Sequence, residues 1–261
     1  MPPPPNQPNN NNHPSPPPSP QTQHHPPNPN PNPLPFIKPP IALPPPSTSP
    51  PAHDEPPTIQ TLLARLHMRP HTEGGYFSEA HRDSRLVPSP YPATPASGSQ
   101  WAAATAEQKR EGFDPSVRNV STTVFYLLTP GSPVGFFHRN RGATVHTLHR
   151  GRGRYVVIHP GSRGRDRRVR IESFVVGLDR ARGETQRWVV EGGKYKATFL
   201  LPDLDQNGEE GATSGEGMLV SETVMPGFEF FDHEFLEGTK LEGLVGREWA
   251  GGLGWLVKGE D

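Results

Sequence analysis

The sequence contains no cysteine, which excludes disulfides, thiolate metal sites and a cysteine nucleophile together. It has no run approaching about 18 apolar residues, the length a membrane helix needs. Its start, MPPPPNQPNN, lacks the apolar core of a secretion signal. The expectation is no membrane span and a cytoplasmic location. Neither charge dominates: 26 Lys+Arg stand against 27 Asp+Glu, so no basic field points to a nucleic-acid partner. Proline, by contrast, is abundant, and 25 of the 36 prolines fall within residues 1–57. That skew divides the chain into a tail and one domain.

Residues 1–57 are Pro, Asn, Ser, Gln and His, with Lys38 the only Lys or Arg. Such a segment buries too little apolar surface to offset its ordering entropy and reads as a disordered leader with polyproline II character. Its PxxP spacings suit an SH3 or WW groove, although the flanking base such ligands carry can only be Lys38. From Thr58 the composition becomes globular, and residues 58–257 suffice for one domain. Ile59, Leu62, Leu63 and Leu66 are spaced as one helical face behind Thr58, predicting a short opening helix to Met68 with Thr58 as its cap. The period then changes. STTVFYLLTP, RYVVIHP, RIESFVVGLD, QRWVVEGG, KYKATFLLPD and GMLVSETVMPG are short β-branched or aromatic runs broken by Gly, Pro or Asp. They predict an all-β antiparallel sandwich or barrel. Residues 88–115, with one helical turn at Ala102–Arg110, and the acidic 203–217 read as inserted loops. Eight arginines lie between Arg150 and Arg170. They read as solvated hairpin ends that the acidic loop can neutralise, or as an anion or partner surface.

The most specific string is MRPHTEGGYFSEAHR (Met68–Arg82), where Glu73-Gly74-Gly75 reads as a turn leading into a strand. It resembles the PHPEGGYF opening of a cupin-superfamily branch of unknown function, cupin family five. STTVFYLLTPG, FFHRNRGATVHTLHRG, FVVGLD and VMPGFEFFDHEF resemble further motifs of that branch in the same order. The resemblance implies a double-stranded β-helix, the RmlC-like jelly-roll barrel, enclosing a ligand-sized cavity and commonly a homodimer. It does not supply an activity, since one fold hosts many chemistries.

Many cupins hold a metal with H-x-H-x(3,4)-E-x(6)-G and a later P-x-G-x-x-H. Counting back from Gly151 places these ligands on His138, Asn140 and Thr144, and the second motif falls on Glu191, Gly193 and Lys196. Only His138 survives as a metal donor. Asn140 and Thr144 are poor neutral ligands, and Lys196 brings positive charge towards any cation. The expectation is no metal and no other cofactor, with a rearranged site of His138, His146 and His149 as the alternative. Period-2 alternation places His146 on the face of His138 and His149 on the other.

If the resemblance holds, His138, His146 and Lys196 converge in an otherwise apolar barrel lined by Phe136, Phe125 and Thr198, with Asn140 and Thr144 beside them. Buried cationic groups of this kind suit an anionic guest. Several functions follow. The first is a metal-independent isomerase or epimerase acting on an anionic or sugar-like metabolite, with His138 or His146 as base and Lys196 as electrostatic stabiliser. The others are a non-catalytic binding module, a metal-dependent dioxygenase or decarboxylase, and a filled structural barrel. Glu73 either folds towards the barrel mouth or caps its own turn. Of Tyr76 and Phe77, one faces inward and the other a second subunit. Phe228, Phe230 and Phe231 read as core, and Trp188, Trp249 and Trp255 as core or dimer contacts. His67 and His233 have no evident partner, and the Asn119 sequon opens a buried strand.

Overall fold

The structure, a computed structural model, describes residues 55–91, 110–163, 169–211 and 214–259 besides Met1. The Pro-rich leader up to residue 54 and almost all of the expected turn at Ala102–Arg110 lie outside the described residues.

Alternating side chains along short β-branched runs give a strand one face to bury, and the described residues form thirteen strands in antiparallel pairs. The first sheet runs β1 (Arg69–Pro70), β2 (Tyr76–Arg82), β5 (Thr122–Leu128), β12 (Met218–Met225), β7 (Ala143–Arg150) and β10 (Arg187–Val190). The second runs β13 (His233–Phe235), β6 (Val134–Asn140), β11 (Tyr195–Leu200), β8 (Gly153–Arg163) and β9 (Val169–Val176). A separate ribbon joins β3 (Leu86–Pro88) to β4 (Val117–Asn119). From β5 to β13 successive strands alternate between the two sheets except at the β8–β9 hairpin, which is the jelly-roll barrel.

Three apolar layers follow from strand parity. Tyr126, Leu128, Leu148, Tyr155, Val157, Trp188, Val190, Met218 and Val220 meet between the sheets. Outside the first sheet, helix α1 (Pro57–Arg65) sets Ile59 and Leu63 on Tyr76, Leu127 and Leu219. Outside the second, α2 (Gly238–Val245) and α3 (Arg247–Leu253) bring Leu241, Val245 and Leu253 onto Phe137, Ile158, Ala197 and Phe199. Trp249 and Trp255 pack against this last layer.

Several local expectations are corrected. The opening helix starts at Pro57 with Pro56 at its cap and no side-chain cap bond, because a proline in the first turn needs no donor partner. Tyr76 meets α1 rather than a second subunit, and its hydroxyl donates to Glu55. Phe125 also packs on the α1 side, so it does not line the barrel. The two C-terminal helices were not foreseen. Among the arginines, Arg150 and Arg152 pair with Glu216 and Glu210 of the acidic loop.

Candidate functional site

The Glu73-Gly74-Gly75 turn is fixed before its carboxylate is placed. Gly74 has φ 92°, and a Cβ there would sit 2.0 Å from Val134 O, so only glycine fits. The Phe136 amide donates to Glu73 O at 2.8 Å, the Tyr126 hydroxyl to Gly74 O at 2.9 Å, and the Gly75 amide to Ser132 Oγ at 2.7 Å. The Glu73 side chain therefore points into the barrel, buried, instead of capping its own turn.

There it meets histidines from three segments. His233 Nε2 lies 2.8 Å from Glu73 Oε1, His138 Nε2 lies 3.3 Å from Oε2, and His71 Nδ1 lies 3.6 Å from Oε2. His233, left without a partner by the sequence, is thus a neighbour of the site. A buried pair holds it in place: Arg118 Nε donates to Asp232 Oδ2 at 2.7 Å, with Arg118 only 1% exposed. Burial alone would raise Glu73, but the imidazoles of His138, His71 and His233 outweigh it and hold the carboxyl far below its ordinary range. Burial pushes His138 down to about 3 despite the neighbouring Glu73, and also lowers His71.

A second polar group forms across the barrel. Lys196 Nζ donates to Glu222 Oε2 at 2.6 Å and to His146 Nε2 at 2.9 Å. Strand parity explains the meeting: Met218, Val220, Glu222 and Val224 share the inner face of β12, and Glu222 pairs with His146 across β7. His146 is fully buried, its ring stacked on Trp188 at 4.9 Å and 8°. Burial would raise Glu222, but Lys196 and His146 overturn this and hold its carboxyl well below 4.5. Burial and the Lys196 charge together lower His146.

Both carboxylates line one pocket of about 360 Å³. Its inner wall adds His71, Tyr126 and Asn140, and its mouth carries Phe77, Phe228, Phe230 and Arg69. Arg82 and Arg110 also line it, and both pair there with Glu229. Asn140 Nδ2 donates weakly to buried Thr144 at 3.5 Å, while Asn140 Oδ1 finds no protein partner among the described residues.

The expected residues are thus only partly brought together. Glu73 and Asn140 face the pocket. His138, His146 and Lys196 are buried behind its wall, not on it, and Phe136 packs against the cluster beneath α2 and α3. The barrel is not otherwise apolar, because Glu222 neutralises Lys196 from within, so the charge argument for an anionic guest falls. His149 is exposed with its ring edge-on to Phe125, which removes it from the rearranged site of His138, His146 and His149. Phe228 and Phe230 form the pocket rim, and only Phe231 is buried. The fit of the usual cupin metal positions is poor: of the four, Asn140 and Thr144 are weak donors and Lys196 is committed to Glu222 and His146.

Comparison with known proteins follows this geometry. A family model described as "Cupin superfamily (DUF985)" matches residues 60–236. An uncharacterized protein of Saccharomyces cerevisiae is 38% identical over 205 residues, 78% of this chain and 88% of its own. Among solved structures, a hypothetical protein from Leishmania major is 28% identical with a TM-score of 0.51, covering 71% of this chain and 90% of its own. A protein of Shewanella oneidensis shares the fold at 20% identity and a TM-score of 0.52, over 77% of this chain and 97% of its own.

Proposed function

The chain belongs to the Cupin superfamily (DUF985), and from that premise we propose that it is a small-molecule-binding cupin whose pocket takes a neutral, polyhydroxylated, sugar-like metabolite. One observation carries the reading: two carboxyl groups, Glu73 and Glu222, face the same 360 Å³ pocket behind a rim of Phe77, Phe228 and Phe230. Carboxylates accept hydrogen bonds from hydroxyls, and charge-assisted bonds of this kind are the strong ones. Aromatic rims cover the C–H faces of a ring while the polar wall fixes its orientation. The lining supplies Arg69, Arg82 and Arg110 against Glu73, Glu79, Glu222 and Glu229, and with Lys196 behind Glu222 the formal charges cancel. That balance favours a neutral guest over the anion expected earlier.

The same geometry favours binding over the isomerase or epimerase alternative. A general base works best with a pKa near the operating pH, and Glu73 and Glu222 are both held far below it. His138 and His146, the two histidines expected as bases, do not line the pocket. The test is native mass spectrometry of the freshly purified full chain, followed by calorimetric titration with a panel of hexoses and pentoses. Retention of an unchanged sugar-like mass, weakened about tenfold or more in Glu222→Gln, is expected. Incorporation of solvent deuterium into a bound sugar would revive the isomerase reading, and binding only of acidic metabolites would replace the neutral guest.

A further inference from the structure

The site holds a feature that sugar binding does not require. The His138 Nδ1 atom lies 2.9 Å from the carbonyl oxygen of Phe136. A carbonyl can only accept, so Nδ1 carries the proton. The His138 Nε2, the ring nitrogen left to bind an ion, faces the Glu73 carboxylate at 3.3 Å. The same fixed tautomer, with one ring nitrogen donating to a backbone carbonyl and the other bare, is how metal-ligating histidines are held.

His233 completes the set. Its Nε2 lies 2.8 Å from the other Glu73 oxygen, and its ring stacks on His138 at 5.3 Å and 23°. One donor atom from each of Glu73, His138 and His233 lies within 4.8 Å of the others. A transition metal about 2.1 Å from each donor spaces neighbouring donors about 3.0 Å apart in octahedral and about 3.4 Å apart in tetrahedral geometry. The two histidine–carboxylate distances, 2.8 Å from His233 to Oε1 and 3.3 Å from His138 to Oε2, lie close to that range with one histidine at each carboxylate oxygen. All three side chains are buried, so their desolvation favours a bound cation. Lys196, the charge that argued against a metal in the sequence, is matched by Glu222.

We propose that Glu73, His138 and His233 form a divalent transition-metal site behind the Glu73 face of the pocket, sharing only His138 with the usual cupin positions. Two imidazoles and one carboxylate leave coordination positions open, and Glu73 itself lines the pocket. A bound metal would supply Lewis-acid contact to a guest hydroxyl there. The proposal does not depend on the sugar-binding reading, because metal uptake is measured with no guest present.

The experiment strips the full chain with chelator and titrates it with Co²⁺, read by visible absorption and by elemental analysis after desalting. The expected result is one Co²⁺ per chain with ligand-field bands of a nitrogen- and oxygen-coordinated ion. Glu73→Gln and His233→Ala are each expected to weaken uptake by about 100-fold or more, while His149→Ala, on the outer face, retains it. Every variant keeps His13, His24, His25 and His53 of the leader, so metal held by the leader persists in all of them. The proposal is overturned if the wild type takes up no stoichiometric Co²⁺, the 3.3 Å contact then being bridged by a proton, or if both ligand variants bind as the wild type does. If Glu73→Gln fails to fold, the wild-type stoichiometry and His233→Ala decide the matter alone.

Discussion

Replacing Lys196 by Met tests whether the Lys196–Glu222 contact holds the barrel together. Met keeps the length and the apolar stem but removes the positive group, leaving Glu222 facing His146 with no cation. Lys196 is 3% exposed. Breaking a buried ion pair from one side costs about 3–5 kcal/mol, because the remaining charge stays buried. Glu222 keeps 12% of its side chain exposed towards the pocket, so the low end of that range applies. For a domain of roughly 200 residues each kcal/mol moves the melting point by about 2–4 °C, giving a fall of about 6–12 °C. The double variant Lys196→Met/Glu222→Gln removes the stranded charge and should recover at least half of the loss. The pH dependence has a fixed sign. In the wild type the Glu222 carboxyl lies below 4.5 when folded, so its stabilisation is present above pH 4.5 and is lost as pH falls through the folded value. In Lys196→Met, burial without the cation raises Glu222 above 4.5, and the cost disappears as the pH drops below that. The gap between the two proteins should therefore be widest near neutrality and narrow on acidification. Differential scanning fluorimetry across pH 3–8 reads this. A single variant melting within about 2 °C of wild type at neutral pH, or a double variant no better than the single, refutes the reasoning.

Other perturbations act on the elements that aim the site. Arg118→Met leaves Asp232 buried without its bidentate partner and should cost about 3–5 kcal/mol by denaturant titration; a loss below 1 kcal/mol would mean that water replaces the guanidinium. Gly74→Ala puts a methyl 2.0 Å from Val134 O at a positive φ, so it should displace Glu73 and lower sugar affinity even where the protein stays folded, which calorimetry beside circular dichroism can separate. Trp188→Ala removes the face stacked on His146 and should destabilise by about 3–5 kcal/mol; retained stability would mean that the inner layer collapses onto the gap.

The parts legible in the sequence are those with a local signal. Short β-branched and aromatic runs broken by Gly, Pro or Asp marked six strands, because strands packed on both faces carry apolar side chains in succession, as Tyr155–Ile158 of β8 do. The motif at Glu73 was legible because its two glycines answer a steric demand. Glu222 carries its own signal: in MLVSETVM it shares parity with Met218, Val220 and Val224, which puts an acid on the core face. His233 had no such signal, since its partner Glu73 is 160 positions away and only the closed barrel joins them. The C-terminal helices carry Leu241, Val245, Trp249 and Leu253 at helical spacing, but four glycines between Gly243 and Gly252 weakened that pattern. Lys196 was placed inside the barrel by the family resemblance, yet the resemblance could not supply its carboxylate partner.

Glu73 enters the barrel at its first turn and His233 at its last strand, so whatever grips both draws a loop of 160 residues shut. The entropy of closing a loop that long is roughly 4–5 kcal/mol, and an occupant spanning it ties early-made chain to late-made chain. An occupant gripping both would couple its affinity to the unfolding temperature through the ends of the domain, and a simple melting curve would register it.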